Sequence, residues 1–234
     1  MKVIQKLLRI FAVRAVQKYK PKIVGITGSV GKTSARNAIA VAIGDMKNVR
    51  VTDENYNNEF GLPLTILGEA PQGKSFFGWL GVLWRGFWVA LGTDKNYPEW
   101  LVLEYGADKK GDIQYLVEIA RPNISVVTAV GLAHTEFFGT VEDVLEEKGI
   151  LVRALPEDGV AVLNIDDSQV FGMRHMANGN VVSFGFGNGA DVTAKNIEVD
   201  TRHDGDISPG EVVARLHFDL VIGDDSIAVE MNNV

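Results

Sequence analysis

The run Gly25-Ile-Thr-Gly-Ser-Val-Gly-Lys-Thr33 has the composition of a loop that holds phosphate. Glycines let backbone amides approach phosphate oxygens, and the positive end of a following helix adds to their pull. Lys32 is placed to reach the outer phosphates of a nucleotide, and the Thr33 hydroxyl to ligate Mg²⁺. The general pattern G-x-x-x-x-G-K-[ST] asks for glycine at position 26. This chain has Ile26 there, and Gly25, Gly28 and Gly31 supply the glycines at a different spacing.

Further polar residues stand where catalysis could use them. Glu104 closes the apolar run Trp100–Glu104, and His134 follows the run Ile124–Val130. Open α/β sheets bind ligands at the carboxyl ends of their strands, so Glu104 is expected to face the phosphate loop. Mg²⁺ prefers oxygen ligands and keeps several waters. Imidazole is an unusual partner for it, and a lone histidine is more often structural. Over residues 140–155, Val141, Val144, Leu145, Leu151 and Val152 form one helical stripe. Glu142, Asp143, Glu146 and Glu147 are placed mostly on the outer faces, while Lys148 falls inside the stripe. A lysine there either finds a partner, loses its proton readily, or snorkels outward. Asn57 and Asn58 precede the turn at Gly61-Leu-Pro63, as short amide donors or turn formers. Asn164-Ile-Asp-Asp167 reads equally as a helix-capping turn or a nucleotide contact.

The elements that position these residues alternate. Lys22–Thr27, Val49–Thr52, Trp100–Glu104, Ile124–Val130 and Gly159–Asn164 read as strands, with helices over 32–43, 112–120 and 140–155. This alternation predicts an α/β fold with a mostly parallel, doubly wound sheet flanked by helices. Beyond residue 180, segments such as Asn180–Phe184, Glu211–Leu220 and Ser226–Glu230 predict a smaller antiparallel β region.

Two segments stand outside that frame. Residues 2–18 read as an amphipathic helix, with Ile4, Leu7, Leu8, Phe11 and Ala15 on one face. It either packs on the domain or lies on a membrane surface. Residues 76–92 are almost wholly apolar, with Arg85 the sole charge. A spanning helix needs roughly 20 apolar residues, so this run is expected to be a buried or partner-facing helix, with membrane contact as the alternative.

The net charge of −7 argues against nucleic acid as the main partner. Residues 1–20 carry six basic side chains and no acidic one. The remaining 17 of the 23 basic side chains face 30 acidic ones, a net of −13. There is no cysteine, which excludes disulfides and thiolate chemistry and fits a reducing cytoplasm. No secretory signal is evident in the sequence.

The block T-G-S-V-G-K-T resembles the phosphate loop of the Mur ligase superfamily, which includes the folylpolyglutamate synthases. Asn55-Tyr-Asn-Asn-Glu-Phe-Gly-Leu-Pro-Leu-Thr65 and the stretch Val102–Asp167 resemble, in order, the branch that adds D-alanyl-D-alanine. The matched blocks run from Gly25 to Asp167, over half of the chain. The resemblance implies a central ATP-binding domain over 21–234, preceded by the basic helix 1–20. It implies ATP held by Gly28, Ser29, Val30, Gly31, Lys32, Thr33, Ser34 and Asn57, with Mg²⁺ near Thr33, Glu104 and His134. Lys32, Asn58 and Lys148 are the expected catalytic residues. In several family members a lysine in the position of Lys148 is carbamylated and supports a second Mg²⁺. UDP-MurNAc-tripeptide and D-alanyl-D-alanine are the implied substrates of an amide-bond-forming ligase of peptidoglycan synthesis. A folylpolyglutamate synthase, or a nucleotide-binding module without ligase activity, is the alternative. The family's N-terminal domain, which binds the UDP-sugar, and its C-terminal domain have no counterpart here, so this chain alone is expected to bind nucleotide weakly and to be inactive.

Overall fold

The computed structural model describes residues 2–44, 48–53, 56–131, 139–202 and 213–232. Helix α1 (Lys2–Tyr19) leads into strand β1 (Lys22–Thr27), helix α2 (Lys32–Gly44) and strand β2 (Val49–Val51). Helices α3 (Gly61–Leu67) and α4 (Phe76–Ala90) precede β3 (Trp100–Glu104), α5 (Asp112–Val117) and β4 (Ile124–Val127). Then come α6 (Val141–Arg153), β5 (Val160–Asn164), α7 (Ser168–Gly172) with a 3₁₀ turn over Met173–Met176, and β6 (Asn180–Phe184). Strands β7 (Val192–Arg202), β8 (Val213–Ile222) and β9 (Asp225–Asn232) follow.

These strands make one sheet in the order β2-β3-β1-β4-β5-β6-β7-β8-β9. Every pair from β2 to β7 is parallel, while β7–β8 and β8–β9 are antiparallel. The fold is therefore the predicted α/β type, with one correction at its C-terminal side. Asn180–Phe184 belongs to the parallel part, beside β5, and the antiparallel strands extend the same sheet. Strand β7 was not legible because its polar residues, Lys195, Asn196, Glu198 and Asp200, hide the alternation of a strand that is largely open to solvent.

Alternation along the strands decides which helix each face meets. In β1, Val24 and Ile26 face α2, where they pack with Val102, Val126, Ala35 and Ile39. Ile23, Leu101 and Leu103 face the other layer, where Leu8, Ala12 and Ala15 of α1 are fully buried with Leu62, Leu64, Ile66 and Leu116. Gly25 lies on that same face. A Cβ there would stand 2.9 Å from the Tyr105 ring and 3.1 Å from Pro122, so a larger residue has no room. Ile26 is thus a core residue of the strand, and the phosphate loop proper begins at Gly28.

The amphipathic helix α1 packs against α3 and α4. Helix α4 is half-buried: Trp79, Val82, Gly86 and Ala90 face inward, while Phe77, Leu80, Trp84 and Trp88 are exposed. Ser75 caps its N-terminus by accepting from the Gly78 amide at 3.0 Å.

Candidate functional site

The chain leaves β1 through Gly28–Gly31 and enters α2 at Lys32. Gly31 has φ +81°, a left-handed conformation that favours glycine. The loop is braced from behind by residues 128–131, which follow β4. Thr128 Oγ1 donates to the Val30 carbonyl at 2.6 Å, the Ser29 amide donates to the Ala129 carbonyl at 2.7 Å, and the Gly131 amide donates to Ser29 Oγ at 3.1 Å. A Cβ at Gly28 would overlap Thr128 Oγ1 at 2.0 Å, so this brace requires glycine at the loop's first position. The amides of the first turn of α2, at Lys32 and Thr33, have no intrahelical acceptor, as at every helix start. They are suited to an anion.

Lys32 Nζ donates to the Gly28 carbonyl at 2.8 Å, folding the side chain back across the loop. Burial lowers its pKa, and the nearby Glu104 carboxylate opposes that shift. Glu104 follows the alternation of β3: it shares the α2 face with Val102 and is 3% exposed. Its Oε1 lies 3.3 Å from Arg36 Nη1, yet neither atom has a hydrogen-bond partner. Arg36 Nε and Nη2 instead bind Asn37 Oδ1. Sequence reasoning missed Arg36. Its signal was available, because Arg36 stands four residues after Lys32 and therefore on the same side of α2.

Lys148 lies on the inner face of α6, as its place in the stripe predicts, and is 5% exposed. Its pKa is pushed down to about 8, first by burial and then by repulsion from Lys32, against the pull of Glu147. Glu147 departs from expectation. It is 1% exposed rather than outward-facing, and its carboxylate accepts from the Gly111 amide at 2.8 Å and the Ile113 amide at 2.7 Å. A charged cap on the N-terminus of α5 compensates its burial. Glu147→Ala leaves both amides without a partner, so the chain is expected to lose ~2–3 kcal/mol of stability. Urea unfolding at pH 7 measures this directly.

Asn58 Oδ1 accepts from the Phe60 and Gly61 amides at 3.1 and 3.0 Å, capping the entry to α3. This uses the oxygen of its amide and leaves the nitrogen as a donor. Asn57 packs on Gly106, whose amide donates to the Asn57 carbonyl at 2.9 Å. The Asn164–Asp167 segment is a capping turn: Asp167 Oδ1 accepts from the Gln169 and Val170 amides. It also steadies the brace, through Asp167 Oδ2 to the Val130 amide at 2.8 Å and Asn164 Nδ2 to the Thr128 carbonyl at 2.9 Å.

Some of these groups meet at one cleft of about 480 Å³, lined by Gly28, Lys32, Asn57, Asn58, Lys109 and Lys148 among others. Gln5 of α1 joins the same wall. Thr33 and Ser34 are exposed at the start of α2, beside the loop. His134, and Asn55 of the asparagine block, lie outside the described residues. Among the described residues there is no cluster of three or more histidine, aspartate or glutamate side chains that could hold a metal. The orphaned Glu104 oxygen and the Thr33 hydroxyl suit an ion that takes its other ligands from phosphate and water, as Mg²⁺ does.

A glycine loop between a central parallel strand and a helix, with a half-buried lysine under the influence of the buried Glu104 carboxylate, defines a phosphate-loop α/β nucleotide-binding domain. The family model for the Mur ligase middle domain matches residues 89–221, and the chain belongs to the Mur ligase family. The UDP-N-acetylmuramoyl-tripeptide–D-alanyl-D-alanine ligase of Mycobacterium tuberculosis is 33% identical over 178 residues, covering 76% of this chain and 30% of that protein. The crystal structure of MurF ligase from Thermotoga maritima in complex with ADP matches with TM-score 0.71 and 27% identity, covering 97% of this chain and 44% of that one. MurF from Acinetobacter baumannii shares the fold, with TM-score 0.72 at 23% identity over 96% of this chain and 41% of that one. The chain thus spans about a third of the length of the curated relative.

Proposed function

We propose that this chain supplies the ATP-binding part of a ligase that joins UDP-MurNAc-tripeptide to D-alanyl-D-alanine in peptidoglycan synthesis. The observation that carries this is the cleft shared by Gly28, Lys32 and Lys148, with Glu104 close enough to act on Lys32, in a chain similar to D-alanyl-D-alanine-adding ligases. In the reaction a substrate carboxylate attacks the γ-phosphorus of ATP, the bond to the β–γ bridging oxygen breaks, and ADP departs. An amine then attacks the acyl phosphate. It loses a proton as inorganic phosphate leaves, and the amide remains.

The chain's residues position groups and neutralise charge, which is most of what phosphoryl transfer asks of a protein. Gly28, Ser29, Val30, Gly31, Thr33 and Ser34 frame the phosphates, with the first-turn amides of α2 pointing at them. Lys32 exchanges the Gly28 carbonyl for the β/γ-phosphate oxygens. Asn58 offers its amide nitrogen to the same cleft, and Asn57 fixes the rim against Gly106. Thr33, Glu104 and, by resemblance, His134 would hold Mg²⁺, which supplies Lewis-acid stabilisation of negative phosphate oxygens. A pKa near 8 leaves Lys148 with a share of neutral amine at neutral pH. A neutral amine is the form that combines with CO₂, losing a proton to give the carbamate that the family resemblance implies at this position.

The reaction consumes ATP and so sets the protein in the cytoplasm. No helix among the described residues is long and apolar enough to cross a membrane. The test is ADP formation by the full-length protein, with the UDP-MurNAc-tripeptide and D-alanyl-D-alanine supplied singly and together. Formation that requires both supports the reading. Stimulation by a folate with glutamate, or by no acceptor, overturns the substrate assignment.

A further inference from the structure

We propose that α1 and α4 together form a docking face for an anionic lipid surface. On α4 and its C-cap the side chains Phe77, Leu80, Trp84, Trp88 and Leu91 recur at helical spacing and are exposed, Phe77 at 82% and Trp84 at 63%. Phe11 of α1 joins Phe77, Leu80, Trp84 and Phe87 in one shallow apolar groove of about 650 Å³. A contiguous apolar patch of this kind marks a contact surface. Its aromatic content suits the boundary between lipid tails and water, where tryptophan concentrates.

Charge selects the occupant. Residues 1–20 hold six basic side chains and no acidic one, and the segment 70–93 also lacks an acidic residue. Lys18 of α1 lies against Gly92 at the end of α4, and Lys74 stands exposed just before its start. Glu69 is already taken by Arg85, in a paired contact at 2.6 Å. Outside residues 1–20 and 70–93, which hold eight basic side chains between them, the chain carries −15, so an anionic surface attracts this layer and repels the rest, which orients the molecule. A second copy is a poorer occupant, because a two-fold pairing of this face brings two basic helices together. With α4 too short to span a bilayer, the face lies on the membrane. Helix α1 gives Gln5 to the nucleotide cleft and Phe11 to the groove. Docking therefore holds the cleft about one helix diameter, ~10 Å, behind the surface.

The test is flotation of the chain with phosphatidylcholine vesicles, with and without phosphatidylglycerol, at low and high salt. The expected result is retention on the phosphatidylglycerol vesicles, weakened by salt, with a blue shift of tryptophan emission. Phe77→Ser with Trp84→Ser, and separately Arg14→Glu with Lys74→Glu, are each expected to cut retention about tenfold. All four positions are exposed, and circular dichroism checks that the variants stay folded. Equal retention of wild type and variants, or no retention of the folded chain on anionic vesicles, overturns the proposal. So does a wild-type dimer that Trp84→Ser dissociates while vesicle binding is absent.

Discussion

Replacing Lys148 by methionine is expected to stabilise the folded chain at neutral pH while abolishing ligase activity in the full-length protein. Methionine keeps the length and apolar stem of lysine and removes a buried charge. The fall of the lysine pKa from 10.5 to about 8 places the gain at about 3 kcal/mol. The pH dependence fixes the cause. Below pH 8 both the folded and unfolded chains hold the proton, so the penalty of the buried charge is fully present. Between pH 8 and 10.5 the unfolded chain binds more protons than the folded one, and stability climbs with pH. Above 10.5 both are neutral and the penalty is gone. The difference in melting temperature between wild type and Lys148→Met, in carbonate-free buffer, should therefore shrink as pH rises from 7 to 10. A difference that stays constant with pH would assign the effect to packing alone.

Gly61→Ala is expected to be among the most damaging single-methyl changes in the chain. A Cβ at this buried position would stand 2.2 Å from the Tyr56 Cα and 2.4 Å from its carbonyl carbon. Backbone is the obstacle, so no side-chain rotation relieves it. The loop before α3 must move, and that loop carries Asn57 and Asn58 on the rim of the cleft. A loss of ~3 kcal/mol follows from overpacking, and nucleotide affinity should fall with it. Gly172→Ala is the control: nothing lies within 4 Å of its added methyl, so its stability should stay within ~0.5 kcal/mol of wild type. Chemical unfolding of the two variants, side by side, measures both.

The parallel core was legible because buried strands such as Lys22–Thr27 and Trp100–Glu104 are short apolar runs that start just after a proline, Pro21 or Pro98, and end just before a glycine, Gly28 or Gly106. Lys148 was legible because a charge inside an apolar helical stripe breaks a strong pattern. Glu147 was not, since its charge suggests solvent and its reason for burial, two amides of α5, lies 34 to 36 residues away in sequence. The same holds for the brace behind the phosphate loop. Thr128 to Gly131 read as the end of a strand, and their bonds to Ser29 and Val30 span about a hundred residues of chain. Local pattern gives the face of an element, whereas these contacts depend on which elements the sheet order brings together. Ile26 shows the converse. In the sequence it is a departure from a loop motif, and as a strand residue facing α2 it is ordinary core.

The central claim is that the Gly28–Thr33 loop holds the phosphates of ATP with the half-buried Lys32 as their counter-charge. Calorimetric titration of the chain with Mg·ATP, beside a Lys32→Ala variant shown to be folded, tests it most directly. The account predicts binding that needs Mg²⁺ and that weakens about a hundredfold in the variant, the worth of one charge-assisted contact. Equal affinity in the two chains, or affinity indifferent to Mg²⁺, would contradict it.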